Sequence, residues 1–139
     1  MRISAIGFLL VSMFGIGLVG CTPPPLPRCE LQGTLLLDEK PVEAGTVSLI
    51  STTAKDGPSY GGPIQNGKYR IYADTGLQPG TYRVEIRWSK PTGEKNPDAG
   101  YGQSADIFAE AIPAKYNSES TLTVEIREGE NIADFNLQS

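Results

Sequence analysis

Leu77-Gln78-Pro79-Gly80-Thr81-Tyr82-Arg83-Val84-Glu85-Ile86-Arg87-Trp88 reads as a turn feeding a long β-strand. Pro79 presets its own φ, Gly80 tolerates the conformation that closes a turn, and strict alternation begins directly afterwards. Tyr82, Val84, Ile86 and Trp88 fall on one face, with Arg83, Glu85 and Arg87 on the other. That is the two-residue period of a half-buried strand. Such a strand needs a sheet to cover its apolar face, and the flanking sequence supplies one. Upstream, Glu30 to Leu37 alternates with Leu31, Gly33, Leu35 and Leu37 on one face, Asp38 to Pro41 reads as a turn, and Gly45 to Thr52 resumes with Val47 and Leu49 inward. Ala54 to Pro63 is rich in Gly and Pro and reads as a loop. Asn66-Gly67, between Ile64 and Lys68-Tyr69-Arg70-Ile71-Tyr72, is the strongest hairpin signal, because both central positions of a type I′ turn need positive φ.

Downstream, Lys90 to Pro113 carries Pro91, Gly93, Pro97, Gly100, Gly102 and Pro113 and reads as a long loop, with a short apolar piece at Ile107-Phe108. Leu122, Val124 and Ile126 then alternate with Thr123, Glu125 and Arg127, and Glu128 to Asn131 turns into a last strand with Ala133, Phe135 and Leu137 inward. About seven short strands without sustained 3.6-residue periodicity predict an all-β fold, an antiparallel Ig-like or transthyretin-like β-sandwich over residues 30–139. Its expected core is Leu31, Leu35, Val47, Leu49, Tyr69, Ile71, Tyr82, Val84, Ile86, Leu122, Val124, Phe135 and Leu137. Leu77 to Tyr82 also has the spacing of a tyrosine corner, in which the Tyr hydroxyl bonds back to upstream backbone.

The N-terminus supplies an address. Met1-Arg2 followed by the apolar run Ile3 to Val19 has the form of a signal peptide over residues 1–20. Gly7, Gly15 and Gly17 within the run, and the lack of a basic stop-transfer cluster after it, weigh against a retained membrane-spanning anchor. Leu18-Val19-Gly20-Cys21 resembles the bacterial lipobox, which implies cleavage before Cys21 and its lipidation (palmitate among the acyl chains). Thr22 stands where an Asp would resemble an inner-membrane retention signal, so the expected location is the cell envelope, at the outer membrane where there are two. Residues 21–29, with Pro23, Pro24, Pro25 and Pro27, form a Pro-rich tether. About six polyproline-type residues at about 3.1 Å each hold a domain roughly 20 Å from the lipid. Cys29 is the only other cysteine; a buried small hydrophobe at the head of the first strand, an intermolecular disulfide and a bridge to an unlipidated Cys21 are its alternatives.

Charge and composition narrow the function. The whole chain has a formal charge of −4; without residues 1–20, which hold Arg2 and no acid, 11 basic side chains face 16 acidic ones, a charge of −5. Nucleic acid, which demands a basic footprint, is not an expected partner, and anchoring falls to the lipid. The chain has no histidine, removing the commonest general base and transition-metal ligand. No catalytic residue, metal site or cofactor is therefore expected. Asp98, Asp106 and Glu110 share the long loop, and a carboxylate pair of Asp106 with Glu110 is the one catalytic arrangement to consider. Solvated loop acids are the plainer reading. The aromatics Trp88, Tyr101, Tyr60 and Tyr116 are the candidate ligand-binding residues. Trp88 shares a face with Val84 and Ile86, so the core competes for it; Tyr60 and Tyr101 sit in Gly-rich loops and are expected exposed. Tyr116, within Ile112-Pro113-Ala114-Lys115-Tyr116-Asn117, is expected to pin the long loop back onto the sandwich.

Gly33-Thr34-Leu35 with Lys40 to Val47, Asn66-Gly67-Lys68-Tyr69 and Leu77 to Val84 together resemble the carboxypeptidase regulatory-like domains, whose fold is a transthyretin-like or prealbumin-like β-sandwich. Ile112 to Asn117 followed by Leu122 to Ile126 is similar to the short lipoprotein members of planctomycete-type bacteria. The likeness runs over nearly all of residues 30–139. It implies an accessory module without catalytic machinery of its own; the motifs behind hormone binding or hydrolysis in the wider group are not found here. The expected function is a lipid-anchored, non-catalytic envelope β-sandwich acting as a protein-interaction or structural module, its partners the membrane and an envelope protein or polysaccharide. The alternative is a carbohydrate-binding module using residues 90–113 and the aromatics.

Overall fold

The computed structural model describes residues 24–53 and 57–139. The apolar run, Cys21 and the first tether residues lie outside these, and no helix among the described residues is long and apolar enough to cross a membrane. Residues 24–28 form neither strand nor helix, as consecutive prolines without N–H donors dictate. Eleven strands follow: β1 Cys29–Leu37, β2 Lys40–Pro41, β3 Ala44–Ser51, β4 Ser59–Gln65, β5 Lys68–Ile71, β6 Gly80–Arg87, β7 Ser89–Lys95, β8 Asp106–Glu110, β9 Thr123–Ile126, β10 Gly129–Ile132 and β11 Phe135–Leu137. Single 3₁₀ turns occupy Ala73–Thr75 and Ala114–Tyr116. The fold is all-β: a curled sheet ordered β10-β1-β5-β4-β3-β6-β9, with β2 and β11 also on β1, and a separate β7–β8 hairpin. Pairing is antiparallel except where β1 lies parallel to β10 and β11.

Alternation places the core as the sequence requires. Val47 and Leu49 of β3, Tyr82, Val84 and Ile86 of β6, Leu31 and Leu35 of β1, and Tyr69 and Ile71 of β5 are buried together. Leu122, Val124 and Phe135 pack at its margin, half-buried, while Val42, Ile64, Leu77 and Ile112 join it from turns and strand ends where no alternation marks them. The Tyr82 hydroxyl donates to the Gln78 carbonyl at 2.9 Å, closing the tyrosine corner. Asn66 and Gly67, at φ 51° and 72°, make the expected positive-φ turn between β4 and β5.

Three stretches differ from their reading. Asp38 and Glu39 also take positive φ and form a two-residue loop, so Lys40-Pro41 returns as β2 against Leu36 and Leu37. The Gly- and Pro-rich segment straightens at Ser59 and runs as β4 along β3 from Ala44 to Ile50. Its glycines allow a close crossing: a Cβ on Gly62 would lie 2.3 Å from the Arg70 carbonyl oxygen. β4 and β5 share only Ile64↔Tyr69 and Gln65↔Lys68 before parting, and at this corner the sheet curls over into its second layer. The third difference is the long loop itself, most of which is the β7–β8 hairpin.

Candidate functional site

β7 and β8 form an arm. Every residue of both strands is exposed, so beyond its base neither face of this hairpin is buried on the body. A two-stranded hairpin is marginal in water, and side-chain bonds assist this one. Lys95 pairs with Asp106 across the strands, and the Thr92 hydroxyl donates to the Ile107 carbonyl at 3.1 Å. The bond and charge of Lys95 hold the Asp106 carboxyl below its usual range. Beyond that pair, Asn96 N–H donates to the Ala105 carbonyl at 2.7 Å and closes the tip that carries Tyr101.

The two outer edges of the arm are unlike. β7 carries Pro91, which lacks an N–H, and its register slips between Pro91 and Lys95, where Gly93 sits at φ 87°. Both features blunt an edge against further pairing. β8 reads Asp106-Ile107-Phe108-Ala109-Glu110 without Pro or Gly, and no strand other than β7 pairs with it among the described residues. Ile107 and Phe108 are both exposed on it.

The base of the arm is built into the core. Trp88 is 9% exposed and packs with the buried cluster, and the Lys90 ammonium lies 4.0 Å from its ring centroid. The Glu110 carboxylate accepts the Trp88 N–H at 2.8 Å and the Ile112 N–H at 3.1 Å, while the Ala111 N–H donates to the Trp88 carbonyl at 2.8 Å. Glu110 thus satisfies backbone donors where the arm leaves the sheet. Asp106 and Glu110 stand four residues apart on one strand, about 14 Å at about 3.4 Å per residue, each with its own partners. The pair does not converge, and Asp98 belongs to a turn in which its N–H donates to Asn96 Oδ1 at 3.0 Å.

The four aromatics are not brought together. Tyr60, expected exposed, is half-buried in β4 and meets Tyr82 edge-on at 5.8 Å between centroids. Tyr60 pairs through Leu49 with Val84, so Trp88, just past the end of β6, is two strands across and four residues along, more than about 13 Å away. Tyr101 is fully exposed at the tip of the arm. Tyr116 packs against the core and its hydroxyl accepts the Gln138 N–H at 3.1 Å, pinning this segment as expected. Asn117 completes the pin: its buried amide donates to the Ile112 carbonyl at 3.0 Å. Trp88, Tyr60 and Tyr116 hold the body together, and Tyr101 stands alone.

Comparison with protein-family models, with curated proteins and with solved structures finds no match for this chain.

Proposed function

We propose that this chain is a non-catalytic, lipid-anchored interaction module of the cell envelope, and that the β7–β8 arm is its contact element. The observation that carries the reading is the β8 edge: five exposed residues without Pro or Gly, on a hairpin whose other edge is blunted. An open edge offers backbone donors and acceptors to an extended segment of a partner protein, with Ile107 and Phe108 supplying apolar contact on alternate faces. The lipobox-like Leu18 to Cys21 and the Pro-rich tether support the address, and the regulatory-like turns support an accessory role.

The test is crosslinking in intact cells, with residues 91–108 replaced by Asn-Gly so that Lys90 and Ala109 close a short hairpin. The recurrent protein adduct of the parent chain is expected to vanish while the unfolding free energy stays within about 0.5 kcal/mol of the parent's. An adduct that persists without the arm would discard the arm as the contact. In the same cells, Cys21→Ser is expected to move the protein to the soluble fraction, and continued membrane association would count against the anchor.

A further inference from the structure

A second feature lies on the body, away from the arm. Where β4 and β5 part at the sheet corner, a solvent-open cleft of about 640 Å³ forms between them. That volume falls within the roughly 300–1,000 Å³ of ligand sites. The two-residue period turns Lys68, Arg70 and Tyr72 outward along one wall, and Pro63, Gln65 and Asn66 line the other. Tyr72 presents a largely exposed ring on an otherwise polar face. The Arg70 guanidinium lies 5.1 Å from its centroid and is itself held by Glu30 at 2.9 and 3.1 Å. The guanidinium therefore braces one face of the ring, while Tyr72 stays 55% exposed. Lys68 has no acidic partner among the described residues, and the side chains of Gln65 and Asn66 make no hydrogen bond there. No carboxylate lines the cleft, although the chain as a whole is acidic.

We propose that this cleft binds an anionic saccharide. An exposed aromatic ring is a flat apolar platform for the C–H face of a pyranose, and its hydroxyls suit the unpaired amides of Gln65 and Asn66. The Lys68 ammonium, with the donors of Arg70 not used by Glu30, matches a carboxylate or phosphate on the sugar. A membrane surface instead asks for several cations and a broad apolar patch; this cleft has one unpaired cation and one ring. The proposal goes beyond the protein-contact role of the arm and does not depend on it.

Affinity electrophoresis of the full chain in detergent tests it, with polygalacturonate, a phosphomannan and neutral dextran as probes. Retardation by an anionic polymer but not by dextran is expected, and which polymer retards it names the anion. Tyr72→Ala and Lys68→Gln are each expected to weaken retardation about tenfold, with unfolding midpoints near that of the parent chain, and Tyr101→Ala to leave retardation unchanged. The proposal is overturned if neither anionic polymer retards the chain, or if both cleft variants bind as the parent does. Binding to phosphatidylglycerol vesicles that the same variants abolish, with no polymer bound, would also overturn it and assign the cleft to lipid.

Discussion

Two tyrosine hydroxyls tie the sandwich at opposite places. Tyr82 donates to the Gln78 carbonyl at the turn before β6, and Tyr69 donates to the Ala133 carbonyl at 2.6 Å, joining β5 to the chain just before β11. Burial raises both hydroxyls above the ordinary tyrosine value; at Tyr69 the nearby Asp134 charge adds to it, and at Tyr82 the neighbouring Tyr60 does. A folded-state pKa above the unfolded one means that the native chain holds protons the unfolded chain releases. The stability from these groups is thus complete below about pH 10, the unfolded value, and is lost as pH climbs towards the folded ones. Urea midpoints followed through Trp88, the single tryptophan, should be level up to about pH 9 and fall above about pH 10. Tyr69→Phe should flatten that fall and, like Tyr82→Phe, cost about 0.5–1.5 kcal/mol at neutral pH by removing one hydrogen bond. An alkaline slope unchanged in Tyr69→Phe would assign it to other groups. The corner at Tyr82 was legible in Leu77 to Tyr82, because that bond is local. The bond of Tyr69 was not, because its acceptor lies 64 residues away.

At the scale of elements, legibility followed half-burial. β1, β3 and β6 bury one face and expose the other, so their sequences alternate and their inward residues were read correctly. β7 and β8 expose both faces, so no hydrophobic period marks them, and Pro91 and Gly93 made the segment look irregular. β4 was hidden for a different reason: Gly61, Gly62 and Pro63 are turn residues by composition, yet here small size is what the strand needs. Gly62 faces inward where β5 crosses beneath it, and a Cβ there would stand 2.3 Å from Arg70 O and 3.2 Å from Ile71 Cγ1. The nearer atom is backbone and cannot rotate away. Gly62→Ala is therefore expected to cost at least about 1–3 kcal/mol, the range of overpacked cores, and to displace the walls of the β4–β5 cleft. Chemical denaturation measures the cost; a variant as stable as the parent would mean that the corner is not closely packed. The cleft itself was partly legible, since Lys68, Arg70 and Tyr72 share the outward register of one strand. What no period encodes is that β4 leaves β5 after two residue pairs.

The whole molecule is closed by its two ends. β1 takes four partners: β5 and β10 along its first part, β2 and β11 along Leu35 to Leu37. The exchange happens at Gly33-Thr34, where a Cβ on Gly33 would stand 1.8 Å from the Ala133 carbonyl oxygen. There the Asp134 carboxylate accepts both the N–H and the hydroxyl of Thr34 at 2.7 Å. Those two bonds hold the Asp134 carboxyl below its usual range. The chain then continues into β11, whose Leu137 is 1% exposed against Leu37 and whose carbonyl accepts the Asp38 N–H at 2.9 Å. Contacts between residues about a hundred positions apart carry a large loop-closure cost, so they form late and slowly. Once formed, they supply a large share of a small domain's margin of about 5–15 kcal/mol. Leu137→Ala should remove about 2–5 kcal/mol, because a buried leucine leaves a cavity that the parallel ladder cannot collapse. Deleting residues 133–139 removes the acceptor of Tyr69, the Asp134 clasp and β11 together, and that chain is expected to be unfolded. Trp88 emission and limited proteolysis distinguish the cases: native-like emission in the deleted chain would show that the seven-stranded sheet closes without its C-terminal strand. Replacing residues 91–108, by contrast, should leave emission and protease resistance of the body unchanged, since Trp88, Lys90, Glu110 and Ala111, through which the arm meets the core, are all kept. The molecule is therefore expected to separate into a body whose stability depends on its last seven residues and an arm whose loss alters binding alone.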